Sequence, residues 1–165
     1  MMRGDPKLYQ ILNGLNIPFD YYEHPPVPTV EEAVLHWKEI KATHCKNLFF
    51  RNHKGNKHYL VVIEFTADLA IRTLEQRLRQ GKLTFASPER LNRFLGLEPG
   101  SVTPLALIND PERLVTVFLD ESLQQSQKIS FHPCVNSATI VLSYHEFLRF
   151  LAHTGHHFEY INLQM

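Results

Sequence analysis

The sequence predicts an α/β chain of the α+β kind, a mixed β-sheet wrapped by helices. Strand-like runs outnumber helical ones. Two of them flank a short turn, so part of the pairing must be antiparallel and a doubly wound parallel sheet is disfavoured. With 165 residues, 44% of them hydrophobic, and no repeat, linker or low-complexity tract, the chain can bury a sizeable core. A single domain over residues 1–165 is expected. Closure into a barrel does not follow from these patterns.

Asp5-Pro6 reads as an N-cap and first-turn proline, and Leu8, Ile11, Leu12 and Leu15 recur at helical spacing until Gly14 and Asn16. Residues 19–23 read as a strand. His24-Pro25-Pro26-Val27-Pro28 is a rigid loop, and Thr29 with Glu32 forms a capping box for a helix through Ala33, Val34 and Trp37. Strand runs 42–51 and 58–65 flank a turn whose Gly55 can take a positive φ, which predicts a β-hairpin. A helix over 67–80 should end at Gly81, and Ser87-Pro88-Glu89 should open another that Gly96 closes. After the turn-rich segment 99–104 comes the apolar run 105–108. Strands follow at 114–119, 128–131 and 138–142. Ser143 with Glu146 caps a last helix running to Gly155, and 157–163 offers a closing strand.

Lys plus Arg and Asp plus Glu both number 17, so no global field draws in nucleic acid, and any RNA contact must be local. The sizeable basic concentration is Arg72, Arg77, Arg79, Lys82, Arg90 and Arg93, readable as a phosphate-binding patch or as a helix face balanced by Glu75 and Glu89. The first residues meet a charge and a proline before any apolar run, and nothing approaches the roughly 18 apolar residues of a membrane span. With two distant cysteines, Cys45 and Cys134, this favours a soluble, cytoplasmic protein in a reducing compartment.

Familiar catalytic spacings are missing: no Gly-x-Ser-x-Gly elbow, phosphate-binding loop or dinucleotide fingerprint occurs. His145-Glu146 begins like a zinc-protease helix, but Arg149 stands where the second histidine is needed. His153, His156 and His157 read as a helix end suited to imidazolium. His44-Cys45 and His132-Pro133-Cys134 contain zinc-type donors, yet neighbours on a strand point to opposite faces, so no metal is expected. The cysteines read as core thiols rather than nucleophiles paired with His132.

Three segments carry a resemblance: Thr43-His44-Cys45-Lys46-Asn47-Leu48-Phe49-Phe50; Gly100-Ser101-Val102-Thr103-Pro104 with Leu105-Ala106-Leu107-Ile108-Asn109-Asp110; and Phe131-His132-Pro133-Cys134-Val135-Asn136-Ser137-Ala138-Thr139. In order and separation they resemble the YbaK/prolyl-tRNA editing family, over nearly the whole chain. The Lys-Asn-Leu-Phe form and the Phe-His-Pro-x-Val-Asn-x-Ala-Thr form look most like its free-standing alanyl-tRNA(Pro) deacylases. The cysteinyl-specific branch is the nearest alternative, and a non-catalytic module binding the tRNA acceptor end is another.

The resemblance implies a barrel-like mixed sheet, hydrolysis of mischarged tRNA(Pro), no metal or organic cofactor, and two partners, the tRNA acceptor end and prolyl-tRNA synthetase. It implies that Lys46 is essential, holding a terminal phosphate or the ester carbonyl. It also implies that Gly100, Ser101, Val102, Thr103 and Pro104 form a loop whose amides face the substrate carbonyl, Ser101 and Val102 through backbone N–H. His132 either binds substrate or water or is satisfied by backbone in the core. Asn47 and Asn136 either orient water or ribose or cap strand ends.

Overall fold

The computed structural model describes residues 1–165. Helix α1 (Pro6–Gly14) opens where the Asp5 carboxylate accepts from the Lys7 amide at 2.9 Å, with Pro6 at a position that needs no N–H. Its Leu8 and Leu12 are fully buried. Helix α2 (Val30–Trp37), α4 (Pro88–Leu95) and α5 (Tyr144–Thr154) begin with Thr29, Ser87 and Ser143, whose hydroxyls accept from the amides of Glu32, Arg90 and Glu146. Gly96 and Gly155 end α4 and α5 in the left-handed region, as their positions in sequence predicted.

The strands are β1 (Asp20–Glu23), β2 (Thr43–Arg51), β3 (His58–Glu64), β4 (Thr84–Phe85), β5 (Val115–Asp120), β6 (Lys128–Phe131), β7 (Ala138–Ser143) and β8 (Phe158–Ile161). They form one sheet in the order β1-β7-β6-β2-β3-β5-β8, with β4 added on β2. Three neighbouring pairs along that path are antiparallel (β1–β7, β7–β6, β2–β3), and three are parallel (β6–β2, β3–β5, β5–β8). The sheet is mixed, as expected, and its end strands β1 and β8 do not pair with each other. In the β2–β3 turn the Asn52 side-chain carbonyl accepts from the amides of Asn56 and Lys57, both at 3.0 Å, which fixes the hairpin.

Strand β2 is paired with β3 from Cys45 to Arg51. Its other edge meets β6 at Thr43 and His44, and β4 at Phe50 and Arg51. Between those patches no strand lies alongside. The His44 carbonyl accepts from the Phe65 amide, so the antiparallel alternation turns the backbone of Lys46 and Leu48 toward β3 and that of Asn47 into the gap.

A core of 26 buried residues fills one side of the hairpin, and a second cluster of 8 the other, whereas α2 rests on a cluster of only 5, so the helix over the gap has the smallest apolar anchor. No helix is long and apolar enough to cross a membrane.

Four points depart from the sequence pattern. Helix α3 (Ile71–Leu78) is shorter than predicted: its N-cap Ala70 offers no side-chain acceptor, Leu69 bridges to Gln164, and Arg79 rather than Gly81 supplies the left-handed cap at φ 54°. The short β4 was not anticipated, and the run 105–108 lies in a 3₁₀ turn (Pro104–Asn109). His156 is no dipole partner at a helix end: its Nε2 lies 2.8 Å from a carboxylate oxygen of buried Asp110, a contact between residues 46 apart that local pattern cannot reveal.

Candidate active site

A cavity of about 140 Å³ opens at the gap beside β2. Strand β2 contributes Lys46 and Asn47, the glycine loop Gly100 and Val102, and the end of β6 Ser130, Phe131 and His132. The loop before α2 and the helix itself close the far side with Val27, Pro28, Ala33 and Trp37. Five sequence-predicted residues, Lys46, Asn47, Gly100, Val102 and His132, are therefore brought together from three separate stretches.

Lys46 is half-buried, and its ammonium enters none of the chain's four ion pairs and no hydrogen bond. A cation held at a cavity without a carboxylate is available to an anionic or carbonyl ligand. Asn47 donates from Nδ2 to the Val102 carbonyl at 3.2 Å, tying the glycine loop to β2. Its Oδ1 is buried without a partner, an arrangement that costs about 1–3 kcal/mol until a donor arrives.

Residues Glu98 to Ser101 form a turn with Pro99 and Gly100 at its centre, closed by the Ser101 amide donating to the Glu98 carbonyl at 3.2 Å. Gly100 has φ +87°, as the third position of a type II turn requires, and a Cβ there would come within 3.1 Å of the Pro28 backbone. The Ser101 amide is engaged in its own turn, and Ser101 is buried and not part of the cavity lining. The amides of Gly100 and Val102 make no hydrogen bond within the chain. Thr103 is fully buried, with its hydroxyl accepting from the Leu105 amide, and Pro104 starts the 3₁₀ turn. Both anchor the loop and neither lines the cavity.

His132 stands 2.9 Å from the Ala138 carbonyl through Nδ1, so Nδ1 carries the hydrogen and Nε2 is the ring's acceptor, with no partner in the chain. Burial lowers its pKa, opposed by the bond to Ala138, and neighbouring His24 lowers it further. One nitrogen of His132 is thus satisfied by backbone, and the other has no partner in the chain. Asn136 is not part of the lining; its carbonyl accepts from the Val27 amide at 3.0 Å and its side chain approaches Gly100, bracing one wall against another.

The sequence pattern did not single out His24, Trp37, Ser130 or Thr139. His24 is pinned between the Pro25 carbonyl and the Thr139 hydroxyl, both at 2.9 Å, which fixes the start of the proline loop. Trp37 stacks on His44 at 4.5 Å, and His44 is held by the Ile40 carbonyl and the Ser130 hydroxyl. Both His44 nitrogens are engaged, and no group of three or more histidine, cysteine or acidic residues is arranged to hold a metal ion. Burial pushes the Cys45 thiol upward, and burial with Asp5 nearby pushes that of Cys134 up to about 12, so neither is a ready thiolate.

The basic segment does not form one free patch. Arg77 pairs with Glu159, Arg90 donates to the Gly55 carbonyl and His58, and Arg93 lies over the Phe94 ring, whereas Arg72, Arg79 and Lys82 are exposed.

A model of the aminoacyl-tRNA editing domain matches residues 24–150. The chain belongs to that family. It is 38% identical over 152 residues to the prolyl-tRNA editing protein ProX of Acetoanaerobium sticklandii, covering 92% of this chain and 93% of that one. It is also 38% identical to the prolyl-tRNA synthetase associated domain-containing protein 1 of Danio rerio, covering 91% and 82%. Among solved structures, hypothetical protein APE2540 superposes with a TM-score of 0.73 at 19% identity, covering 96% and 99%. One described as a candidate trans-editing enzyme for prolyl tRNA synthetase gives 0.67 at 22% identity, covering 99% of both. At those identities the structures speak for the fold. The Lys46-Asn47, Gly100–Pro104 and Phe131-His132 stretches of the chain thus meet at one cavity.

Proposed function

We propose that residues 1–165 act as a single editing domain that hydrolyses mischarged tRNA(Pro) in trans, with alanyl-tRNA(Pro) as its substrate. One observation carries the reading. The unpaired Lys46 ammonium and the unbonded Gly100 and Val102 amides border the same cavity as a neutral imidazole. An aminoacyl ester is already activated, so its hydrolysis asks for a positioned water and donors for the developing oxyanion. No covalent nucleophile is needed.

In this reading Nε2 of His132 accepts from the attacking water, whose oxygen bonds to the ester carbonyl carbon. The Gly100 and Val102 amides donate to the oxyanion, and the intermediate collapses by breaking the bond to the ribose oxygen as His132 returns the proton to that oxygen, releasing alanine and tRNA. Lys46 supplies positive charge to the ester carbonyl or the terminal phosphate. The orphaned Asn47 Oδ1 receives a donor from the α-ammonium or the ribose. The apolar wall of Val27, Ala33 and Trp37 suits a methyl side chain, and the rigid ring of proline is excluded by clash rather than by weaker RNA contact. The partners are then the acceptor end of tRNA(Pro) and prolyl-tRNA synthetase, the source of the error, and the working compartment is the cytoplasm.

The test is single-turnover deacylation of alanyl-, cysteinyl-, seryl- and prolyl-tRNA(Pro). Alanyl-tRNA(Pro) should be fastest and prolyl-tRNA(Pro) slowest. A preference for cysteine would move the chain to the cysteinyl-specific branch, and no turnover with intact tRNA binding would make it an acceptor-binding module.

A further inference from the structure

We infer that Phe85 and the apolar groove beside it form a second subsite, a stacking platform for a base of the unpaired 3′ end of the RNA whose ester occupies the cavity. This rests on the proposed function for the identity of the substrate, and on the structure for the platform.

Phe85 is 63% exposed, unusual for so large an apolar side chain, yet its ring is held rather than loose. It stacks on buried Phe50 with centroids 4.7 Å apart and planes 23° from parallel, leaving one face outward. The strand pairing Phe50 with Phe85 sets that position, and the Ala86 amide donating to the Phe49 carbonyl locks the turn that follows.

The groove in front of the ring, about 210 Å³, is lined by Phe85, Pro88, Leu91 and Pro99 and shares Asn47, Leu48 and Val102 with the candidate active site. The partition between them is the Asn47–Val102 hydrogen bond. The groove therefore begins where the ester would sit and leads away along β2. Lys46 and Phe50 lie four residues apart on the same face of β2, about 13 Å along the strand, a span within reach of a nucleotide chain attached to the ester.

The surroundings suit a polyanion. Arg51 sits opposite Thr84 in the pairing register, Lys82 is exposed three residues before Phe85, and neither has a carboxylate partner. Exposed Glu89 and Glu98 are sequence neighbours of Pro88 and Pro99 in the groove lining, so the acidic residues lie away from the β4 segment in sequence. An aromatic face flanked by cations accepts any base, because every base has a π-face, which is how single strands are commonly held.

The experiment compares Phe85→Ala, Phe85→Leu and Phe85→Trp, with Tm confirming the fold. Two readouts are used: dissociation of deacylated tRNA(Pro), and KM and kcat for alanyl-tRNA(Pro) beside alanine ethyl ester, which has no base. Phe85→Ala and Phe85→Leu should weaken tRNA binding and raise KM for the tRNA ester by about 5- to 150-fold, while hydrolysis of the ethyl ester is unchanged and Phe85→Trp restores binding. Leucine keeps the apolar surface but not the π-face, so near wild-type binding by Phe85→Leu would overturn stacking. Unchanged tRNA affinity in Phe85→Ala would overturn the subsite, and a change in sedimentation with that result would mark the ring as a contact between copies instead. If the wild-type chain failed to cleave any ester but lost tRNA affinity on Phe85→Ala, the proposed function would fall and the platform would stand.

Discussion

Strands β2 and β3 are paired residue for residue, yet only one of them borders the candidate site. β3 has a strand on both edges over most of its length, and His58 through Ile63 are all buried. β2 has the same partner on one side and a lapse in pairing on the other, and there Lys46, Asn47 and Leu48 are only half-buried. A sheet consumes its backbone polar groups and hides its side chains wherever strands lie side by side. Chemistry becomes available on this sheet where that accounting is left open.

The largest test of the contrast exchanges one residue from each strand. Lys46→Ala should lower turnover of the preferred tRNA ester by about 10²–10³-fold while leaving stability within about 0.5 kcal/mol, because its charge has no partner to lose. Its fully buried counterpart, Leu60→Ala on β3, should cost about 2–5 kcal/mol of stability. The fraction still folded should turn over at close to the wild-type rate. Denaturant titration beside single-turnover rates reads both; a Lys46→Ala protein with normal turnover would remove the lysine from the mechanism.

The next effect separates two histidines whose neutral state has different uses. His132 acts as an acceptor only when unprotonated, and its pKa is lowered. Turnover should therefore persist as pH falls through the ordinary histidine range and decline only below it. His132→Ala should lose on the order of 10²-fold at neutral pH together with that acid limb. A log-rate profile that falls with a midpoint above 6.5 would contradict the assignment.

His58 uses its neutrality for stability. Burial pushes its pKa down to about 4, aided by Arg90, Arg93 and Arg51, and Arg90 donates to its Nε2 at 3.0 Å. The unfolded chain takes up a proton near 6.5 that the folded chain refuses until about 4. Stability from this residue is therefore complete above 6.5 and is lost as pH falls from there to about 4, an effect of about 1–3 kcal/mol. His58→Gln should flatten that part of the curve in urea titrations; an unchanged slope would assign the acid sensitivity elsewhere.

What the sequence made legible was local. Asp5, Thr29, Ser87 and Ser143 cap helices within four residues of themselves, and Gly55 and Asn52 close a turn they belong to, so each could be read from its neighbours. The Lys46, Gly100 and His132 segments were legible through family resemblance, and they do converge on one cavity. Contacts made across the chain were not legible. Nothing near Ser101 announces that its amide closes a turn, nor that Asp110 receives His156, nor that His44 backs Trp37 against the cavity. Helix α3 is shorter than its pattern suggests because Leu69 has helical spacing, but the backbone groups on either side of it, the Asp68 carbonyl and the Ala70 amide, bond to Met165 and Leu163.

The joint between β2 and β6 sets a timetable for the site. His44 and Ser130 face one another across 86 positions of sequence, and loops that long are slow to close compared with a hairpin. At translation speeds of about 5–20 residues per second, the β2–β3 hairpin, complete at Glu64, emerges roughly 3–13 s before Ser130. In that interval Lys46 has no imidazole across from it. The site is thus complete only once residue 132 has been added, well after the strand that carries Lys46.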